Sequence, residues 1–278
     1  MSDDLHEGVE RHWYDGVEGA LLERIDAALE QDGKDPQALT LDDLMVVDEL
    51  HIRGREATAE MMALAKVRPS DRVIDVGAGI GGPSRYLASS CGCHVTGIDL
   101  TAEYCGVANA LAARIGLGDR VTYRQANALD MPFEDHTFDV AWTQHISMNI
   151  PDKRAFFGEM RRVVRPGGRL VIYDPILGNG DPLDYPVPWS RDGAINFLID
   201  AEETRRALEA LDLEITQWED VSEKSITWFA ANAQRSARPS ALGIHLVLGE
   251  DWRAMSVNMV KNLVNGRLAV VQVLAERR

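Results

Sequence analysis

Three glycines and two acids carry the first chemical signal. In RVIDVGAGIGGPSRYLASSCGCHVTGIDL, residues 72–100, Gly77, Gly79 and Gly82 fit G-x-G-x-x-G, and Asp99 follows Gly82 by seventeen residues. Such a loop lets backbone amides approach a ligand, and an acid ending the next strand suits ribose hydroxyls. A dinucleotide and S-adenosylmethionine both answer that description. Asp75, just ahead of the loop, separates them. A carboxylate there would repel a pyrophosphate but would suit the ammonium and sulfonium of S-adenosylmethionine. Each acid also has a plain alternative: Asp75 bonding loop amides, and Asp99 capping the helix that opens with TAEY, in competition with Thr101.

Other side chains have chemistry to offer. In an open parallel sheet the reacting groups gather beyond the carboxyl ends of the strands. That singles out Gln144 and His145, at the end of FDVAWTQH. His145 would take a proton from an amine or hydroxyl, or hold an acceptor carboxylate; the alternative is a histidine that starts a helix. One of His51 and Arg53, beside the strand-edge loop, is expected to face the cofactor carboxylate, for which a guanidinium is well shaped. Tyr185 and Trp189 would surround a quaternary ammonium, and Arg191 would bind an acceptor carboxylate; a simple proline-rich cover is the alternative for all three. Cys91, Cys93 and Cys105 are the only cysteines. Their isolated Cys-Gly-Cys has no second pair for zinc or a disulfide framework, so reduced thiols are expected. The seven histidines show no ligand spacing, and no metal is expected.

The elements that must position these residues follow from periodicity. Apolar runs at 73–76, 94–100, 121–127, 138–145 and 169–175 alternate with helical stretches at 83–91, 101–117 and 152–163. This is the pattern of a parallel sheet covered on both faces. Further helices are expected at 201–211, 225–239 and 250–265, and strands at 213–218 and 268–275. The result is an α/β, Rossmann-like architecture with a central, mostly parallel seven-stranded sheet. Ahead of it, helical stretches at 9–31 (weak near Gly16–Gly19), from about residue 40, where Thr40 caps with Asp43, and at 54–66 form an N-terminal cap over residues 1–66. The main domain then covers 67–278, with a substrate-covering insertion around 176–200. RPGG at 165–168 reads as a turn into the fifth strand, with no chemistry of its own.

Composition narrows the setting. A net charge of −15, with only five lysines among 29 basic residues, disfavours a nucleic-acid partner. No apolar run approaches the ~20 residues of a membrane span. The acidic first twenty residues do not read as a targeting signal, so a cytoplasmic setting is expected. A homodimer through the N-terminal cap or the last long helix is compatible with the pattern.

Four ordered blocks, VIDVGAGIGG at 73–82, GIDL at 97–100, NALDMPFEDHTFDVAW at 127–142 and FGEMRRVVRPGGRLVIYDP at 157–175, resemble the class I S-adenosylmethionine-dependent methyltransferases. The resemblance implies their fold and their cofactor, with S-adenosylhomocysteine as product. It places Gly77, Ala78 and Gly79 on the methionine moiety, Asn127 and Ala128 beside the adenine, and Leu100 and Leu129 flanking it, with Gln144 near the cofactor. Most relatives carry Asp where this chain has Asn127. An N-terminal aromatic, Tyr14 or Trp13, would close the pocket. DELHIRGREAT at 48–58 is similar to the segment ahead of the cofactor domain in sarcosine and dimethylglycine N-methyltransferase-like enzymes. The expected acceptor is therefore the nitrogen of a small amine or amino acid. C- or O-methylation of a small metabolite is the alternative, and a non-catalytic cofactor-binding protein is another. An NAD-dependent oxidoreductase would need a Tyr-x-x-x-Lys pair after the fourth strand, and none is there.

Overall fold

The computed structural model describes residues 8–9, 12–13, 20–235 and 240–278. Its centre is a seven-stranded sheet: β1 (Arg72–Val76), β2 (His94–Asp99), β3 (Val121–Gln125), β4 (Phe138–Gln144), β5 (Val164–Leu177), β6 (Leu213–Asp220) and β7 (Leu268–Arg277). The spatial order is β3-β2-β1-β4-β5-β7-β6, and only β7 runs antiparallel to its neighbours. After β3 the chain returns to lie on the other side of β1. Strand order thus reverses between β1 and β4, which opens a crevice at their carboxyl ends.

Alternation along each strand divides the core in two. Val73, Val140, Trp142, Val171 and Tyr173 face one layer, while Ile74, Val76, Ala141, Leu170 and Ile172 face the other. Both sets are buried, which is why the strands read as continuous apolar runs rather than alternating ones. One layer receives helix α6 (Lys153–Val163) through Phe156, Phe157 and Met160, and α7 (Ala201–Glu209) through Leu208. The other receives α4 (Gly82–Cys91), with α8 (Ser222–Arg235) and α9 (Trp252–Val264) further along. Helix α5 (Ala102–Arg114) packs mainly on β3.

The N-terminal segment supplies α1 (Ala20–Gln31), α2 (Leu41–Asp48) and α3 (Gly54–Ala65). At the start of α2, Thr40 Oγ1 accepts from the Asp43 amide while the Asp43 carboxylate accepts from the Thr40 amide at 2.8 Å, the expected capping box. α3 joins the sheet layer through Ala57, Met61 and Ala65. α1 and α2 form a third cluster in which Leu21, Ile25, Leu44 and Val47 pack with Ile80, Tyr104 and Leu111. These helices therefore stand beside the loop that follows β1. Among the described residues no helix is long and apolar enough to cross a membrane.

Two local expectations change. RPGG lies inside β5 rather than between helix and strand. The pairing with β4 jumps from Phe138↔Val164 to Val140↔Arg169, so Arg165–Gly168 is a bulge within a strand that begins at Val164. Gly168 is required there because a Cβ would lie 2.7 Å from the Asp139 carbonyl oxygen. Helix α8 starts three residues earlier than its apolar pattern suggested, and the end of the expected 225–239 helix lies outside the described residues.

Candidate active site

The loop after β1 is tied down from two sides. The Gly77 and Ala78 amides donate to the Ile98 carbonyl at 2.8 and 2.9 Å. Gly77 has φ +77°, and a Cβ there would fall 2.1 Å from Ile146 Cδ1, so both conformation and contact demand glycine. The Asp99 carboxylate accepts from the Gly79 amide at 2.9 Å and from the Thr101 amide at 2.9 Å. It therefore braces the glycine loop and the start of α5 together, and a carboxylate still has lone pairs for two hydroxyls. Asp75 is buried and, among the described residues, receives only the Ser84 hydroxyl, at 2.6 Å. Burial pushes its carboxyl up to about 7, and the nearby Asp99 charge works in the same direction.

These groups open into one large cavity at the strand-order reversal. Asp75, Gly77, Ala78, Gly79, Asp99 and Leu100 line one end with Asn127, Ala128 and Leu129. Asn127 Oδ1 already accepts from the Leu129 amide at 2.9 Å, which shapes this turn and leaves its second lone pair for a ligand. The donor set fits S-adenosylmethionine: buried Asp75 and half-buried Asp99 with no cation among the described lining residues, a backbone-lined glycine loop, and apolar Leu100 and Leu129.

The floor of the cavity is a polar knot beneath β4 and β5. Gln144 Oε1 accepts from the Trp142 indole at 2.8 Å, and its amide lies 3.4 Å from Thr58 Oγ1. His145 sits at φ +56°. Its Nδ1 donates to the Tyr173 carbonyl at 3.1 Å and its Nε2 accepts from the Ile52 amide at 3.3 Å. Both nitrogens are thus used by backbone groups, and burial drives the imidazole down to about 3. The expected proton acceptor instead pins the 49–52 segment to the sheet. Beside it stand Glu49 and His51, both lining the cavity. His51 Nε2 donates to the Gly54 carbonyl at 3.0 Å.

The far end is apolar and aromatic. Trp13, Trp189, Trp228 and Phe229 line it with Met148, Leu248 and Met259. Trp13 Nε1 donates to Asn149 Oδ1 at 3.0 Å, and Asn149 Nδ2 donates to the carbonyls of Trp189 and Ile195 at 2.9 and 3.0 Å. Asn149 thereby ties the N-terminal aromatic to the 176–200 insertion.

Several sequence-level assignments need correction. Arg53 does not face the cavity; its buried guanidinium pairs with Glu60, because a left-handed turn at φ 67° starts α3 there and directs the side chain along the helix. Tyr185 is half-buried beside Gly193 and is not among the lining residues. Arg191 lies in a neighbouring hollow, 3.4 Å from Asp251. Tyr14 lies outside the described residues. Sequence reasoning missed Glu49, Met148, Asn149, Trp228 and Phe229. The adjacent aromatics of TWFA in α8 were a visible signal, whereas nothing local marks Asn149.

Residues 74–172 match the family profile described as "Methyltransferase domain". The chain is 33% identical over 204 residues to a probable chloroplastic tocopherol O-methyltransferase of Oryza sativa subsp. japonica, covering 69% of this chain and 55% of that protein. A second chloroplastic tocopherol O-methyltransferase, from Arabidopsis thaliana, is 46% identical over 101 residues. The chain spans about half or less of the length of these two relatives. Among solved structures it resembles geranyl diphosphate C-methyltransferase from Streptomyces coelicolor A3(2), with TM-score 0.74, 19% identity, and coverage of 100% of this chain and 99% of that one. At that identity the likeness is one of fold.

Proposed function

This chain carries a methyltransferase domain of the class I, S-adenosylmethionine-dependent family, and from that premise we propose that it methylates a neutral, predominantly apolar small molecule at a hydroxyl oxygen. One observation carries the choice of acceptor. Among the described residues lining the cavity there is no lysine or arginine, while the end away from the glycine loop is built from tryptophan, phenylalanine, methionine and aliphatic side chains. An acceptor carboxylate or diphosphate would be buried there without a counter-charge, at a cost of several kcal/mol. Sarcosine and dimethylglycine, the acceptors expected from DELHIRGREAT, each carry such a carboxylate. Arg191, the residue expected to hold an acceptor carboxylate, lies outside the cavity.

S-adenosylmethionine supplies an activated methyl group when bound. Asp75 is assigned to its ammonium, Asp99 to the ribose hydroxyls, and Asn127 with Leu100 and Leu129 to the adenine. The chain then holds the acceptor against the methyl in the apolar chamber and excludes water. Positioning of this kind supplies much of the rate in a two-substrate transfer. An apolar amine without a carboxylate is the second reading, favoured by the fact that Asp48, Glu49, Asp75 and Asp99 are the only formally charged side chains among the described lining residues.

Incubation of the full chain with labelled S-adenosylmethionine and a panel of acceptors, followed by product mass analysis, tests this. The panel contains 4-octylphenol, a sterol, octylamine, sarcosine, dimethylglycine and geranyl diphosphate. Methylation is expected on 4-octylphenol or the sterol. Preference for sarcosine, dimethylglycine or geranyl diphosphate would overturn the reading, and preference for octylamine would select the amine.

A further inference from the structure

We infer that His51, oriented by Gly54 and Glu49, takes the proton from the acceptor hydroxyl as the methyl group is transferred. The inference rests on the acceptor chemistry proposed for the same cavity. Its geometric basis is the tautomer. The Gly54 carbonyl can only accept, so the nitrogen 3.0 Å from it, Nε2, carries the hydrogen. Around that same nitrogen stand Thr58 Oγ1 at 3.1 Å and Glu49 Oε2 at 3.4 Å. The ring's lone pair is therefore on Nδ1, which has no hydrogen bond to any described residue although the residue borders the cavity. Three neighbouring candidates are committed elsewhere. His145 has both nitrogens engaged, the Gln144 oxygen holds the Trp142 indole, and Asp75 belongs to the glycine-loop end.

The step balances with the groups present. The acceptor O–H donates to Nδ1, the oxygen forms its bond to the methyl carbon, and the S–C electron pair stays on sulfur to leave S-adenosylhomocysteine. The proton ends on an imidazolium whose Nε2–H faces the Glu49 carboxylate. The charges around this pair come from every packed element: Arg53 on the same segment, Arg55 of α3 with Nε 3.8 Å from Glu49 Oε1, and the Asp48–Arg85 pair reaching from α2 to α4. From the sheet come the rings of His145 and Tyr173, at 6.0 and 5.9 Å. Burial lifts the Glu49 carboxyl to about 8, with the Asp48 charge adding to the effect, and lowers the His51 imidazole to about 4. An ionised Glu49 is what favours the imidazolium, so turnover rises as pH increases through about 8.

Two measurements on the full chain test this. In ¹⁵N-histidine spectra with S-adenosylhomocysteine bound, His51 is expected as the Nε2–H tautomer, with an Nδ1 resonance that shifts when 4-octylphenol is added. An Nδ1–H tautomer, or an Nδ1 blind to the phenol, overturns the inference whether or not any acceptor turns over. In kinetics, His51→Asn is expected to lower kcat for 4-octylphenol by about 10²-fold with little change in KM. The loss should be only a few-fold for 2-nitro-4-octylphenol, which is already ionised at the assay pH. Glu49→Gln should abolish the rise through pH 8. Equal losses on both phenols, or an effect confined to KM, would make His51 a structural or binding residue and overturn the inference. Failure of the wild-type chain to methylate either phenol strikes the hydroxyl-acceptor reading instead, and the tautomer measurement still decides the role of His51.

Discussion

Asp75 and His145 show how far a residue's chemistry depends on what its neighbours leave unused. Among the described residues, buried Asp75 has one hydroxyl donor and no cation beside it, so burial raises its carboxyl until a positive ligand arrives. Its carboxyl stands at about 7 in the free protein, and only the ionised form suits an ammonium. Affinity for S-adenosylhomocysteine should therefore rise roughly ten-fold between pH 6 and pH 8, following the ionised fraction. Asp75→Asn should bind roughly 10- to 100-fold more weakly, by the loss of a charged hydrogen bond, and without that pH dependence. Calorimetric titration of both proteins at the two pH values checks this; a shared pH profile would remove Asp75 from the ammonium. His145 is the converse case, a residue of apt type at an apt position whose two nitrogens are spent on Ile52 and Tyr173.

At the scale of elements, the cap is fastened to the sheet layer by buried polar links as well as by apolar packing. The Asp48–Arg85 pair, at 2.7 Å, joins the end of α2 to α4, and both side chains are buried; Arg85 also donates to the Ile80 carbonyl at 2.7 Å. Removing one partner strands the other charge in the interior, which typically costs 3–5 kcal/mol. Arg85→Ala should lose about that much stability in urea unfolding, and a loss below ~1 kcal/mol would show that the site relaxes or hydrates. Because Asp48 adjoins Glu49, the same link helps set the position of the cavity floor.

For the whole molecule, the sheet depends on its last strand. β7 lies between β5 and β6 and, among the described residues, is the only partner of β6. Val270, Val271, Val273 and Ala275 are buried on both faces of the sheet. Deleting residues 266–278 should therefore abolish cooperative unfolding, leaving β6 unpaired and an apolar edge on β5. Circular dichroism against temperature checks this. A truncated chain with a sharp transition near that of the parent would contradict it.

The alternation of apolar runs and amphipathic stretches, the glycines at 77 and 79, and Asp75 and Asp99 at strand ends were all legible in the chain itself. Each depends on local rules: side-chain period, turn conformation, and where strands end. Strand boundaries came within a few residues for six of the seven strands. β5 was the exception, because a bulge at Arg165–Gly168 and a turn share the same residues and differ only in pairing across the sheet. The apolar end of the cavity could not be read in that way. Trp13 meets Asn149 across 136 positions, and His145 meets Ile52 across 93. Whether a histidine keeps a free lone pair, or an arginine faces a cavity, is set by hydrogen bonds closed at such distances. The glycine-loop end of the cavity was thus written locally in the sequence, while the character of its apolar end was decided by tertiary contacts, because exposure and hydrogen-bond satisfaction are properties of neighbours that only folding brings together.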